Sequence, residues 1–205
     1  MYTPAAFAEA DLPKLHDFIE GHSFGVLVSQ AQQFTASHLP FLLDRQHGPQ
    51  GRLIGHMADA NPQWRQANGN PALVVFSGPH AYISPSWYEE ENVVPTWNYI
   101  AVHIYGTFRV IEDQGVLTQI IQNTVERYEQ ALPRPWTYRG SAEFFDRLMG
   151  MIVGFEIDID RIEGKWKLSQ NHSPQRRERV IQGLLTSADP GAHALARLMQ
   201  ELPGS

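Results

Sequence analysis

The chain has 205 residues, 42 % of them hydrophobic and 19 % charged, with a formal net charge of −6 and no cysteine. This is the composition of a globular protein with a real core, long enough for one large domain or two small ones. It excludes disulfides and thiolate metal or redox sites, so any redox chemistry needs a bound cofactor, and the acidic balance argues against a strongly basic nucleic-acid-binding domain.

The opening stretch MYTPAAFAEADLPKLHDF lacks a basic region followed by an apolar core, so no signal peptide is expected. No apolar run approaches the length of a membrane span, and a cytoplasmic location is the default expectation. Residues 11–20 predict a short helix with Asp11 as N-cap and Pro13 in the permissive first turn. Leu12, Leu15, Phe18 and Ile19 fall on one face, and Gly21 breaks the pattern. Strands are expected at 24–29, 33–43 and 52–57. Pro40 interrupts the second and marks an edge or a bulge, because proline cannot donate to a ladder. Within 58–67 a short helix is expected to start at Asn61 as cap, with Pro62 at its first position and free N–H groups forming an anion site.

A strand at 72–77 is expected to turn a corner at Gly78-Pro79 and continue over 80–84. The stretch from Ser77 to Gly106 then holds two of the five Trp, four of the seven Tyr and two of the nine His. Rich in aromatic, amide and ring N–H groups, it can line a site for a flat, partly polar ligand; it could equally be an aromatic plug on a barrel. Residues 100–111 form the clearest strand, with Val102, Ile104, Phe108 and Val110 alternating against Ala101, His103, Tyr105, Thr107 and Arg109. Residues 116–132 predict an amphipathic helix through Val116, Ile120, Ile121, Val125 and Tyr128, and 142–151 predict another. Residues 152–160 read as the last strand, 165–171 as a polar extension, and 175–185 and 191–202 as two terminal helices. Six or seven strands with helices inserted late, and no strand–helix alternation, predict an α+β protein built on a mainly antiparallel β-barrel with peripheral helices.

The sequence contains no GxGxxG after a strand, no GxxxxGK[ST], no HExxH and no GxSxG. His38, His56, His80 and His103 lie on or beside predicted strands and could converge as metal ligands, but hydrogen-bonded neutral histidine is the commoner case and no metal is expected. His38, His56, Asn61 and Lys167 could bind an anionic group such as phosphate. Trp97 and Tyr99 could pack on a flat ring, and Asn98, Gln170 and Asn171 could read a hydrogen-bonding edge. A ring bearing a phosphate, carrying the redox work of a cysteine-free chain, points to flavin mononucleotide (FMN).

The motifs GHMADANPQW (55–64), GPHAYISPSWY (78–88), VPTWNY (94–99) and KWKLSQN (165–171), with MYTPAAF and ASHLPFLL (36–43), closely resemble the PaiB-type family of FMN-binding negative transcriptional regulators. The resemblance runs from Met1 to about Leu185. It implies a flavin split barrel like that of the pyridoxamine-phosphate oxidases, forming a homodimer with FMN at the subunit interface. It places Ser37, His38, Leu39 and Pro40 beside the isoalloxazine, and His56, Met57, Ala58, Asn61 and Trp64 at the phosphate. It further implies that Thr96, Trp97, Asn98, Lys167 and Gln170 complete the pocket, from the same subunit or from its partner. Residues 1–172 are expected to form the split-barrel domain and 173–205 a helical extension packed on it. The related oxidases use Arg and Lys in the phosphate segment, whereas His56 is the one basic group in 55–64, so Lys165 or Lys167 is expected to supply charge.

Three functions remain open on these residues. One is a flavin-dependent regulator, with DNA a weakly supported partner because residues 191–202 offer only Arg197 as a fixed positive charge. The second is an FMN-dependent oxidoreductase acting on a small molecule. The third, resting on fold analogy, is a haem-binding relative with a histidine axial ligand.

Overall fold

Alternating burial builds the strands. The computed structural model describes residues 1–202, and these fall into two compact units. The larger comprises Leu12–Phe76 and Ile104–Ile162; the other comprises Met1–Asp11, Ser77–His103 and the chain from Glu163 onward. The strands are β1 (Ala8–Glu9), β2 (Phe24–Gln30), β3 (Phe34–Asp44), β4 (Arg52–Ala58), β5 (Pro71–Ile83), β6 (Thr96–Ile111) and β7 (Ile152–Lys167). The helices are α1 (Leu12–Gly21), α2 (Gln63–Ala67), α3 (Gln114–Glu129), α4 (Ala142–Met149), α5 (Pro174–Leu185) and α6 (Pro190–Gln200). The seven strands form an antiparallel sheet in the order β1-β7-β4-β3-β2-β5-β6, and an additional β7–β6 pairing closes six of them into a ring.

In the larger unit the inward positions carry Leu27, Phe41, Leu53, Phe76, Phe108 and Phe155, all buried. Phe41 meets Phe76 and Phe155 edge-on at 5.5 and 5.9 Å, and Phe108 stacks on Phe155 at 4.8 Å. Each such side chain contributes about 1.5–3 kcal/mol by leaving water. Ring closure depends on Gly106: a Cβ there would lie 2.1 Å from the Asp158 carbonyl oxygen of β7. In the smaller unit β1 pairs with β7, Ala8 opposite Lys165 and Glu9 opposite Gly164. There α5 packs on α6, burying Val180, Ile181 and Leu184 of the one and Leu195, Ala196 and Met199 of the other.

Several expectations are corrected. Pro40 does not interrupt its strand. The β2 ladder of β3 runs from Phe34 to Pro40 and the β4 ladder from Phe41 to Asp44, so Pro40 sits where one hands over to the other and no β4 bond is lost. The strands expected on either side of Gly78-Pro79 are one continuous β5, and Pro79 removes no bond from the β5–β2 ladder, which spans only Ala72 to Val75. The helix expected from Asn61 is only the five-residue α2, too short for the anion site its N-terminus was expected to form. On α3 the buried residues are Leu117 and Ile120, while Val116 and Tyr128 are exposed. The polar extension at 165–167 is instead the end of β7, where Lys165 and Trp166 are buried.

Candidate functional site

In the larger unit, β3 carries Ser37, His38, Leu39 and Pro40, and β4 carries His56, Met57 and Ala58. On β4 the inward positions are Leu53, Gly55 and Met57, so the Met57 side chain belongs to the core and His56 faces the other way. From Phe34 to Pro40 one edge of β3 is bonded to β2, and no strand pairs with the other edge. That open edge presents backbone donors and acceptors, which a ligand or a side chain must satisfy when water is excluded.

The turn leading to α2 folds against this segment. The Asn61 Nδ2 donates to Ser37 Oγ at 2.9 Å, and Asn61 Oδ1 accepts from the Gln63 N–H at 3.0 Å. Gln63, fully buried, donates from Nε2 to Ser29 Oγ at 3.0 Å and to the Thr35 and Leu27 carbonyls at 3.1 and 3.3 Å. Its Oε1 has no hydrogen-bond partner. Trp64 is held by Nε1 donating to the Asp59 carbonyl at 2.9 Å. His38 is exposed and stacks on Phe24 at 6.2 Å. Burial holds the His56 imidazole below its ordinary 6.5, so it is neutral at pH 7.

In the smaller unit, Lys167 donates to Thr96 Oγ1 and to the Trp97 carbonyl, the latter at 2.8 Å. Burial, reinforced by Lys165, lowers the Lys167 pKa from its ordinary value. Asn98 is 1 % exposed and donates from Nδ2 to Ser169 Oγ at 2.9 Å. Thr96, Asn98 and Lys167 are thus brought together around a cavity of about 250 Å³. Trp97 points outward and meets Tyr82 edge-on at 6.0 Å. Gln170 folds back on its own turn, accepting from the Leu168 N–H at 2.7 Å and donating to the Trp166 carbonyl at 2.5 Å. Tyr88, His172 and Arg176 line the same cavity and were not singled out as candidates. Arg176 belongs to the densest basic stretch of the sequence, which was the one available signal. Among the described residues no group of three or more His, Cys, Asp or Glu could hold a metal ion.

An antiparallel barrel with an open strand edge beside a hydroxyl, an amide and imidazoles has the donor set of a flavin split barrel. The hydrogen-bonding edge of an isoalloxazine suits an unpaired strand edge, and Ser37, Asn61 and backbone N–H groups suit a phosphate, though 55–64 offers no fixed cation. The comparisons with known proteins agree on the class. Residues 1–161 match the family described as "Putative FMN-binding domain". The chain is 36 % identical over 204 residues to the Bacillus subtilis "Protease synthase and sporulation protein PAI 2", covering 98 % of this chain and 97 % of that one. In fold it is similar to the FAD and haem binding protein of Mycobacterium smegmatis, with TM-score 0.59 and 16 % identity over 78 % of this chain and 73 % of that one. It is likewise similar to the flavocytochrome Anf3 of Azotobacter vinelandii, with TM-score 0.58 and 12 % identity over 78 % and 69 %.

The fold is therefore the α+β split barrel. The chain belongs to the FMN-binding domain family, of the PaiB type, and the flavin this membership assigns to it is FMN. No helix among the described residues is long and apolar enough to cross a membrane.

Proposed function

We propose that the protein holds FMN along the open edge of β3 as a homodimer, and that flavin occupancy or redox state governs its association with a partner, in a regulatory role. The observation that carries the flavin reading is the unpaired β3 edge over Phe34 to Pro40, with Asn61 anchored on Ser37 beside it. Bound FMN supplies one- and two-electron transfer. The chain's own part is to bind and orient it. Backbone groups of His38 and Leu39 read the ring edge, Pro40 and Leu39 give it an apolar flank, and Ser37 and Asn61 hold a phosphate oxygen. His56, Met57, Ala58 and Trp64 shape the wall behind. His56, neutral when the site is empty, gains a proton as a phosphate dianion arrives, because a nearby negative charge favours the charged imidazolium.

The homodimer reading rests on Phe24 and Phe34, 65 % and 73 % exposed at the ends of the β2–β3 ladder. They stand at opposite ends of the ladder, and a partner protomer laid along the hairpin would cover both. The name of the Bacillus subtilis relative, a protease synthase and sporulation protein, supports a regulatory output. A direct DNA contact through α5 and α6 is poorly served. Arg177 is buried, Arg176 faces Glu90 at 3.6 Å, and Arg179 faces Glu89 at 3.5 Å.

Absorbance of the concentrated protein after addition of FMN and desalting tests the flavin reading. A retained flavin spectrum in the wild type that is lost from the Ser37→Ala variant is the expected result; a colourless wild-type protein overturns it. A salt-dependent shift of promoter DNA by the pure protein would overturn the reading that DNA is not the direct partner.

A further inference from the structure

We infer that the cavity of the smaller unit, whose Thr96, Asn98 and Lys167 the resemblance assigns to the flavin pocket, is instead a second binding site for a small oxyanion that also carries a hydroxyl, such as hydrogen phosphate or a 2-hydroxycarboxylate. Thr96, Asn98, Lys167, His172, Arg176 and Tyr88 surround it. At about 250 Å³ it is smaller than the about 300–1,000 Å³ of pockets for drug-sized ligands, so it suits a compact ion rather than a flavin.

Two cations face it from different elements, Lys167 at the end of β7 and Arg176 on the first turn of α5. The balancing charge is incomplete. Glu90 lies 3.6 Å from Arg176 but is itself 43 % exposed, and Lys167 is bonded only to the neutral Thr96 and Trp97 oxygens. An ammonium has three N–H donors, so one remains for a ligand. Arg176 lies over the Tyr88 ring at 3.8 Å, which fixes its plane, and its buried Nε has no hydrogen-bond partner.

The independent sign of a ligand is Asn98. Its side chain is almost wholly buried, yet Oδ1 has no partner. On the other side Nδ2 donates to Ser169 Oγ at 2.9 Å and to Met199 Sδ at 3.7 Å, and the thioether, which can only accept, orients the amide. A buried carbonyl without a donor costs about 1–3 kcal/mol, and a ligand hydroxyl relieves it. Ser169, which holds the amide, has φ +62°, a left-handed conformation rare for a residue with a Cβ. Two donors from cations and one acceptor from an amide together describe an oxyanion with an O–H, not a bare anion. Lys167, Ser169, His172 and Arg176 all lie beyond residue 161, where the family match ends.

Calorimetric titration of the full-length protein with inorganic phosphate, glycolate and acetate tests the site. Saturable binding of phosphate or glycolate is expected, with acetate weaker than glycolate by roughly tenfold. The tighter of phosphate and glycolate identifies the ligand class. Arg176→Gln and Lys167→Gln should each weaken that binding by roughly tenfold or more, with melting curves confirming that both variants fold. Flavin retention by Arg176→Gln should match wild type, which separates failure of this site from failure of the flavin reading. Absence of saturable binding of both phosphate and glycolate to the wild type would overturn the inference. So would binding that neither variant weakens, or, where glycolate binds, acetate binding as tightly.

Discussion

The Asn61 amide donates to the Ser37 hydroxyl at 2.9 Å, tying the turn before α2 to the strand segment whose second edge is open. The same amide accepts from the Gln63 N–H at 3.0 Å, so it supports the turn and the candidate site together. Asn61→Ala should cost about 1 kcal/mol of stability for each bond lost, read from urea denaturation, and should also weaken FMN retention. Ser37→Ala should weaken FMN retention with a smaller loss of stability. Equal flavin binding by both variants and wild type would separate this turn from the site.

Gln63 bridges β2 and β3 from inside the larger unit through three acceptors. Gln63→Leu has nearly the right size but removes the buried amide that donates to those acceptors. A loss of about 1–3 kcal/mol is expected in chemical denaturation, the penalty for a buried unsatisfied group. A neutral result would mean that water reaches the Ser29 and Thr35 oxygens.

Gly106→Ala should be among the most damaging small substitutions, because the added Cβ would meet Asp158 backbone at 2.1 Å rather than a side chain that can swing away. About 3 kcal/mol or more is expected, with hydrogen exchange accelerating first along β6 and β7. Exchange that rises uniformly would show that this contact does not govern closure.

Burial lowers the pKa values of His56, His103 and His172 below the ordinary 6.5. The N-terminal ammonium adds to the effect at His103, and Arg176 adds to it at His172 against the opposing Glu90. With folded values below unfolded ones, the unfolded chain binds more protons in the interval between them. Stability from these groups is full above pH 6.5 and falls as the pH drops through 6.5 towards the folded values. Denaturation midpoints should therefore decline between pH 7.5 and 5, and His56→Gln should flatten part of the decline.

Phe24→Asp and Phe34→Glu should convert a dimer to a monomer in light scattering, since each places a charge in the proposed apolar contact. Both positions are exposed within the chain, so the monomer should stay folded. A variant protein that remains dimeric would move the interface elsewhere.

Much of the architecture was legible without coordinates, for a local reason. The side-chain alternation at 100–111 and the two terminal helices expected at 175–185 and 191–202 rest on neighbours along the chain, and β6, α5 and α6 follow them closely. The motif segments named Ser37, Asn61, Asn98 and Lys167 as flavin-pocket residues by their place in a family pattern, without any pairing between them. Partnership across the chain was not legible. Whether Pro40 breaks a strand depends on which ladder each flanking residue joins, and whether Lys165 is solvated depends on β1 lying beside it. Gln63 resembles any polar helix residue until β2 and β3 surround it. Asn98, Ser169 and Arg176 are 71 and 78 positions apart in sequence, counting from Asn98. Only the return of the chain through β7 into α5 brings Asn98 into the lining of one cavity with two cations, because hydrogen bonding and charge act over a few ångströms of space whatever the separation in sequence.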